Sequence, residues 1–175
     1  MVIDRSGEGA HSVADGYGPQ WSPDGQMLLF RKKGLRVVNA DGTQERTILD
    51  GELAMFGLIW LPSGHSIAFA SSRDNNGASE VFRINVDGTG LQKVASGTRE
   101  GLSFASPIFS PDERELLVVS EPSLEYLEED ILPELDVPWL RKTDALPTIL
   151  LIDLATGHKQ KLVEGGHPDV VWGRK

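Results

Sequence analysis

Apolar and polar positions recur along the chain in one order. A short apolar run ends in a large aromatic residue, a polar turn follows, and a second apolar run begins. The pattern is clearest at Trp21-Ser22-Pro23-Asp24-Gly25, which leads into Met27–Phe30. It returns at Trp60-Leu61-Pro62-Ser63-Gly64 and at Phe109-Ser110-Pro111-Asp112-Glu113, and it starts once more at Trp172. Each repeat also closes alike: HSVADG (His11–Gly16), RTILDG (Arg46–Gly51), QKVASG (Gln92–Gly97) and QKLVEG (Gln160–Gly165) superpose without gaps. The spacings between their closing glycines are 35, 46 and 68 residues, as expected of loop insertions on a constant frame. Repeats of roughly 40 residues that each hold several short strands are the mark of a propeller blade.

Within residues 17–51 the apolar runs predict four strands: Gly18–Ser22, Gln26–Arg31, Leu35–Asn39 and a last one holding Ile48 and Leu49. The turns between them have local causes. Pro23 presets φ, Asp24 bonds nearby backbone and Gly25 accepts positive φ. Asp41-Gly42 is a hairpin turn, matched by Asp87-Gly88 and, in variant form, by Ala155-Thr156-Gly157. The Pro111-Asp112-Glu113 turn lacks its glycine and is expected to be looser or of another type.

The fold class expected is therefore all-β: a propeller of four-stranded antiparallel blades at 17–51, 52–97 and 98–165, the last beginning near Ser106 and carrying an insertion at 121–147. Residues 1–16 align with the last two strands of a blade, and 166–175 with the first strand of another. The terminal strands could share one blade and close a small ring. The chain could also be part of a larger ring, or complete one across two chains by self-association of open edge strands.

Composition narrows the classes of function. A net charge of −9 argues against nucleic acid as a partner, since its phosphates need a basic face. There is no cysteine, so no disulfide and no thiolate chemistry. No apolar run reaches the ~20 residues that span a bilayer. The polar start, Met1-Val2-Ile3-Asp4-Arg5, holds no secretory signal, which leaves a cytoplasmic protein or a periplasmic one whose leader has been removed.

Pro19-Gln20-Trp21-Ser22-Pro23-Asp24-Gly25 resembles the core of the TolB-type, WD40-like propeller repeats. Phe69–Asp74 and Ile84–Thr89 resemble that family's second half. The resemblance covers nearly the whole chain except Glu121–Pro147 and implies a propeller, with members usually carrying about six blades. The family includes a periplasmic protein of the Tol system, propeller domains attached to serine peptidases and many proteins of unknown role. No Gly-x-Ser-x-Gly elbow occurs here.

The polar residues carry little chemistry beyond the turns. Ser22, Asp24, Ser110 and Asp112 recur with the turn and are assigned to it. The histidines His11, His65, His158 and His167 have no ligand spacing. Asp74-Asn75-Asn76-Gly77 is part of a calcium-loop pattern but fits a hairpin turn better. The basic cluster Arg31-Lys32-Lys33 with Arg36 suits a solvated loop. No cofactor, catalytic or metal site is expected.

The insertion is the most distinctive stretch. It carries −6 of the charge, and Leu124, Leu127, Ile131 and Leu135 recur at helical spacing, with Pro133 expected to end or kink the helix near Leu132 and Pro138-Trp139-Leu140 extended after it. A helical element there would pack on its own propeller or dock a partner, with Trp139 contributing. The function expected is a non-enzymatic module that binds protein or peptide. The alternatives are an accessory propeller for a hydrolase or peptidase supplied elsewhere, and a carbohydrate-binding or lyase-type propeller with Trp60, Trp139 or Trp172 as a stacking platform.

Overall fold

A computed structural model describes residues 9–51, 55–72, 78–122 and 147–164. These residues form three four-stranded antiparallel sheets, each a simple up-and-down meander in chain order. The first holds β1 (Tyr17–Trp21), β2 (Met27–Arg31), β3 (Gly34–Asn39) and β4 (Arg46–Asp50). The second holds β5 (Met55–Trp60), β6 (Ser66–Ser71), β7 (Glu80–Asn85) and β8 (Gln92–Ala95). The third holds β9 (Leu102–Phe109), β10 (Glu115–Pro122), β11 (Thr148–Asp153) and β12 (Lys159–Glu164). A single 3-10 turn, Thr98–Glu100, is the helical content among the described residues.

The third sheet begins at Leu102, four residues before the start expected at Ser106, and Glu121 and Pro122 extend β10 instead of opening the insertion. The expected helix with Leu124, Leu127, Ile131, Leu135 and Trp139, the Asn76-Gly77 turn, and the strand ending in Trp172 lie outside the described residues.

The meander is fixed by turn chemistry. Ser22 donates its hydroxyl to Asp24 Oδ1 at 2.6 Å, and Asp24 accepts the Gln26 amide at 3.0 Å. Ser110 and Asp112 repeat this at 2.6 Å, with the Arg114 amide at 3.2 Å. The turn at Glu113 is therefore not looser. Glu113 adopts φ of 58°, beside 73° at Gly25 and 72° at Gly64, and its amide bonds the Ser110 carbonyl at 2.8 Å as Gly25 bonds Ser22 at 2.9 Å. Its carboxylate accepts the Ser63 amide at 2.9 Å and faces Arg83 at 3.4 Å, which offsets the strain of a left-handed side chain.

The sheets pack face to face, and their registers match. Seven and nine residues after each motif aromatic stand Leu28 and Phe30, Ile67 and Phe69, and Leu116 and Val118. Ile67 and Phe69 meet Leu29, Leu35 and Val37 of the first sheet, and Leu116 and Val118 meet Ala68 and Val81 of the second. One set of positions thus faces the preceding sheet, and the position between them, Leu29 or Ala68, faces the following one. Phe69 stacks on Phe82 at 5.8 Å and both are buried, each contributing about 2–3 kcal/mol through its removal from water. At the second seam Lys159 lies 5.5 Å over the Phe104 ring and reaches the Ser96 carbonyl at 3.0 Å.

Leu28, Phe30 and Val38 of the first sheet form a separate buried cluster, with Val13 and Ala14 packed on it. Gly42 stands 3.5 Å, measured from an added Cβ, from the Val13 carbonyl, as Gly88 stands 3.0 Å from that of Ile48.

Candidate functional site: the first-strand cleft

The strands that open each sheet, β1, β5 and β9, run side by side and line a cleft of about 470 Å³. Its walls are Gly18, Gln20 and Arg31, then Met55 to Ile59, then Ser106 to Ile108. The three strands share a device that the repeat pattern alone does not announce. Three residues before each aromatic, Gly18, Gly57 and Ser106 adopt φ of 60°, 56° and 49°. Pairing with the second strand slips there, between Tyr17 and Gln20, between Phe56 and Ile59, and opposite Leu117 and Val119. A bulge leaves residues unpaired and bends the strand, which turns backbone and side chains toward the cleft. The signal in the sequence is a glycine three before Trp21 and Trp60, and it is lost at Ser106.

Cross-strand contacts make the cleft wall rigid. Gln20 Nε2 donates to the Leu58 carbonyl, Arg31 donates to the Met55 carbonyl at 2.9 Å, and the Trp60 indole donates to the Gln20 carbonyl at 3.3 Å. Arg31 ends β2, as the second predicted strand has it, and although its basic cluster was expected to suit a solvated loop it is the one ionisable side chain lining this cleft. Lys32 and Arg36 both approach Glu45, at 3.9 and 2.5 Å. Phe56 is 54% exposed at the cleft and Tyr17 is 77% exposed at the start of β1. The surface can present apolar area and one cation.

The aromatics of the motif are not equivalent. Trp60 is 8% exposed and its indole is committed to Gln20, so it is no stacking platform; Trp21 is 50% exposed. Trp139 and Trp172 lie outside the described residues. A second, wider cleft of about 760 Å³ between the turns holds Asp24, Arg46, His65 and Asp87. Its aspartates are engaged by their own turns. The Ser22 hydroxyl holds the Asp24 carboxyl below its ordinary range, and the Thr89 hydroxyl does the same for Asp87. Asp41 and Asp112 are lowered likewise by Thr43 and Ser110, and Asp153 by the Thr156 amide and then its hydroxyl.

Among the described residues His11 approaches the Gly9 carbonyl at 3.0 Å, and His158 sits on the Asp153 turn. Among the described residues no three His, Asp or Glu groups converge as a metal site. None of their helices is long and apolar enough to cross a membrane.

Sequence reasoning missed Glu80. It is 1% exposed and accepts from Lys93 at 3.1 Å, from Ser96 at 2.5 Å and from Thr98 at 2.9 Å. Burial pushes its carboxyl up, but these donors together hold it below the ordinary value. Their role is to tie β7, β8 and the 3-10 turn together.

No family profile matches the chain. Over 62 residues, 35% of this chain and 14% of the relative, it is 33% identical to the Tol-Pal system protein TolB of Thioalkalivibrio sulfidiphilus. In structure it is similar to a putative TolB from Agrobacterium tumefaciens, with TM-score 0.62 and 21% identity over 87% of this chain and 51% of that one. TolB from Acinetobacter baumannii gives TM-score 0.60 at 17% identity, over 88% and 33%. An oligogalacturonate lyase from Vibrio parahaemolyticus gives 0.57 at 14% identity, over 84% and 36%. The chain spans about half or less of the length of each of these proteins.

Proposed function

Starting from a chain of TolB-type propeller fold, we propose that it is a non-enzymatic module that binds protein or peptide, with the first-strand cleft as its seat. In this reading the three sheets are three full blades. The observation that carries the reading is the makeup of the cleft. Phe56 is exposed beside the Gly57 bulge, Arg31 is its single charge, and no acid–base pair converges on it. Such a wall suits an extended apolar segment with one carboxylate, held by apolar contact and a charge-assisted bond.

The test is binding of a panel of labelled apolar peptides, with and without an acidic residue, followed by fluorescence anisotropy. Arg31→Ala and Phe56→Ala are each expected to weaken binding about tenfold, or roughly 1.4 kcal/mol, with the β circular dichroism unchanged. Binding that is untouched by both substitutions would sink the cleft as the seat. Replacing residues 123–146 by a short Asn-Gly turn, which keeps β10 and β11 intact, tests the other seat: loss of capture in a folded protein assigns docking to the acidic insertion, with Leu124, Leu127, Ile131, Leu135 and Trp139 as its apolar contacts.

A second reading is supported by the fold likeness to the lyase and by Arg31, which could meet the carboxylate of an acidic sugar. Oligogalacturonate added to the same assay separates the two, since a carbohydrate seat responds to the sugar and not to the peptides. As an accessory propeller for a hydrolase or peptidase supplied elsewhere, the chain would use the same cleft to hold substrate.

A further inference from the structure

We infer that the first-strand cleft takes its peptide as a polyproline II segment, rich in proline and carrying one acidic residue, and not as an added β-strand. The inference rests on the reading of that cleft as the seat for peptide.

β1, β5 and β9 are the end strands of their sheets. An end strand ordinarily invites another, which bonds to its outward N–H and C=O groups. Here that edge is spent. The carbonyls of Met55, Leu58 and Gln20 already accept from Arg31, from Gln20 Nε2 and from the Trp60 indole. Two residues before the motif aromatic, β1 and β9 carry Pro19 and Pro107, which have no N–H to give. The bulges at Gly18, Gly57 and Ser106 break the ladder that a regular strand would have to follow. A β-strand entering the cleft would set its own N–H groups against acceptors already taken, and burying them unpaired is costly.

What the wall offers is rings and one cation. Tyr17 and Phe56 hold the same place, four residues before Trp21 and Trp60, and both are exposed. Tyr17 stands opposite Arg31 in the β1–β2 pair, and Arg31 reaches across to the carbonyl of Met55, the neighbour of Phe56. The guanidinium therefore lies between the two strands that carry the rings. It spends one N–H on Met55, and its fork keeps others for a carboxylate. A polyproline II segment suits these surroundings. Its backbone makes no internal hydrogen bonds, its prolines bring no N–H that needs a partner, and its preset conformation loses little entropy on docking against aromatic faces. One glutamate among the prolines meets Arg31.

The test uses the whole chain and two labelled peptides of about ten residues, each with one central glutamate, read by fluorescence anisotropy. One is otherwise proline; the other is otherwise valine and threonine. The proline peptide is expected to bind about tenfold more tightly or better. Tyr17→Ala and Phe56→Ala are each expected to weaken it about five- to tenfold, with the β circular dichroism unchanged. Glutamine in place of the peptide's glutamate should weaken binding about as much as Arg31→Gln does, and the two changes together should cost no more than either alone. A valine–threonine peptide that binds as tightly, and is weakened by Phe56→Ala, overturns the polyproline mode while leaving the cleft as the seat. A proline peptide that ignores both Tyr17→Ala and Phe56→Ala overturns it too. If neither peptide binds, the inference falls together with the peptide reading of the cleft.

Discussion

Gly57 and Ser106 stand back to back across the second seam: a Cβ on Gly57 would lie 2.9 Å from the Ser106 Cα and 2.6 Å from Pro107 Cδ. Both residues have positive φ, so two bulges nest there. Gly57→Ala adds strain and a clash with backbone, and is expected to cost about 2–4 kcal/mol. Gly25→Ala, at φ of 73° with nothing within 4 Å, meets strain alone and should cost about 1 kcal/mol. Denaturant midpoints of the two variants give the comparison; equal losses would mean that the nesting is not what holds Gly57.

Glu80→Ala is expected to destabilise by about 2 kcal/mol, since it leaves the hydroxyls of Ser96 and Thr98 without their acceptor. Lys93, whose side chain is 43% exposed, returns to water and adds little. For a chain of this size the melting temperature should fall by roughly 4–8 °C.

Stability should fall in acid for a stated reason. Asp24, Asp41, Asp87, Asp112 and Asp153 all have folded-state pKa values below the ordinary 3.8, each held there by its turn hydroxyls and amides. The unfolded chain takes up these protons at higher pH, so the stabilisation is full above 3.8 and drains as pH drops through the folded values. Melting temperatures are expected to hold from about pH 7 to 5 and to fall below about 4. Asp41→Asn with Asp87→Asn should make that fall shallower.

Trp60→Phe removes the bond to the Gln20 carbonyl and part of the packing at the first seam. It is expected to cost about 1–2 kcal/mol in thermal or chemical unfolding. A loss near zero would mean that Gln20 and Leu58 hold that seam without the indole.

The turns were legible because their chemistry is local: Thr43 donates both its amide and its hydroxyl to Asp41, two residues away, and the Gly42 amide donates to the Asn39 carbonyl. Strand order followed from those turns. The turn at Glu113 was misjudged because its glycine is missing, while the groups that hold it, Ser63 and Arg83, come from another sheet. The bulges were visible at Gly18 and Gly57, but Ser106 hid the third copy. Glu80 gave no signal, since its hydroxyl partners lie 16 and 18 residues away and meet it only after β7 and β8 pair. Trp21 and Trp60 share one motif and differ in burial, which depends on the neighbouring sheet and not on the motif.

The matching registers of the three sheets have a consequence for how such a chain can grow. Ile67 and Phe69 greet the sheet before them as Leu116 and Val118 do, and Leu29 and Ala68 greet the sheet after. The apolar faces alone do not encode a sheet's ordinal number; only polar contacts such as Trp60 to Gln20 and Glu113 to Ser63 tell the two seams apart. Duplicating or deleting one whole repeat leaves every surviving seam with the same pair of faces, so copy number can drift in evolution without any seam being reinvented.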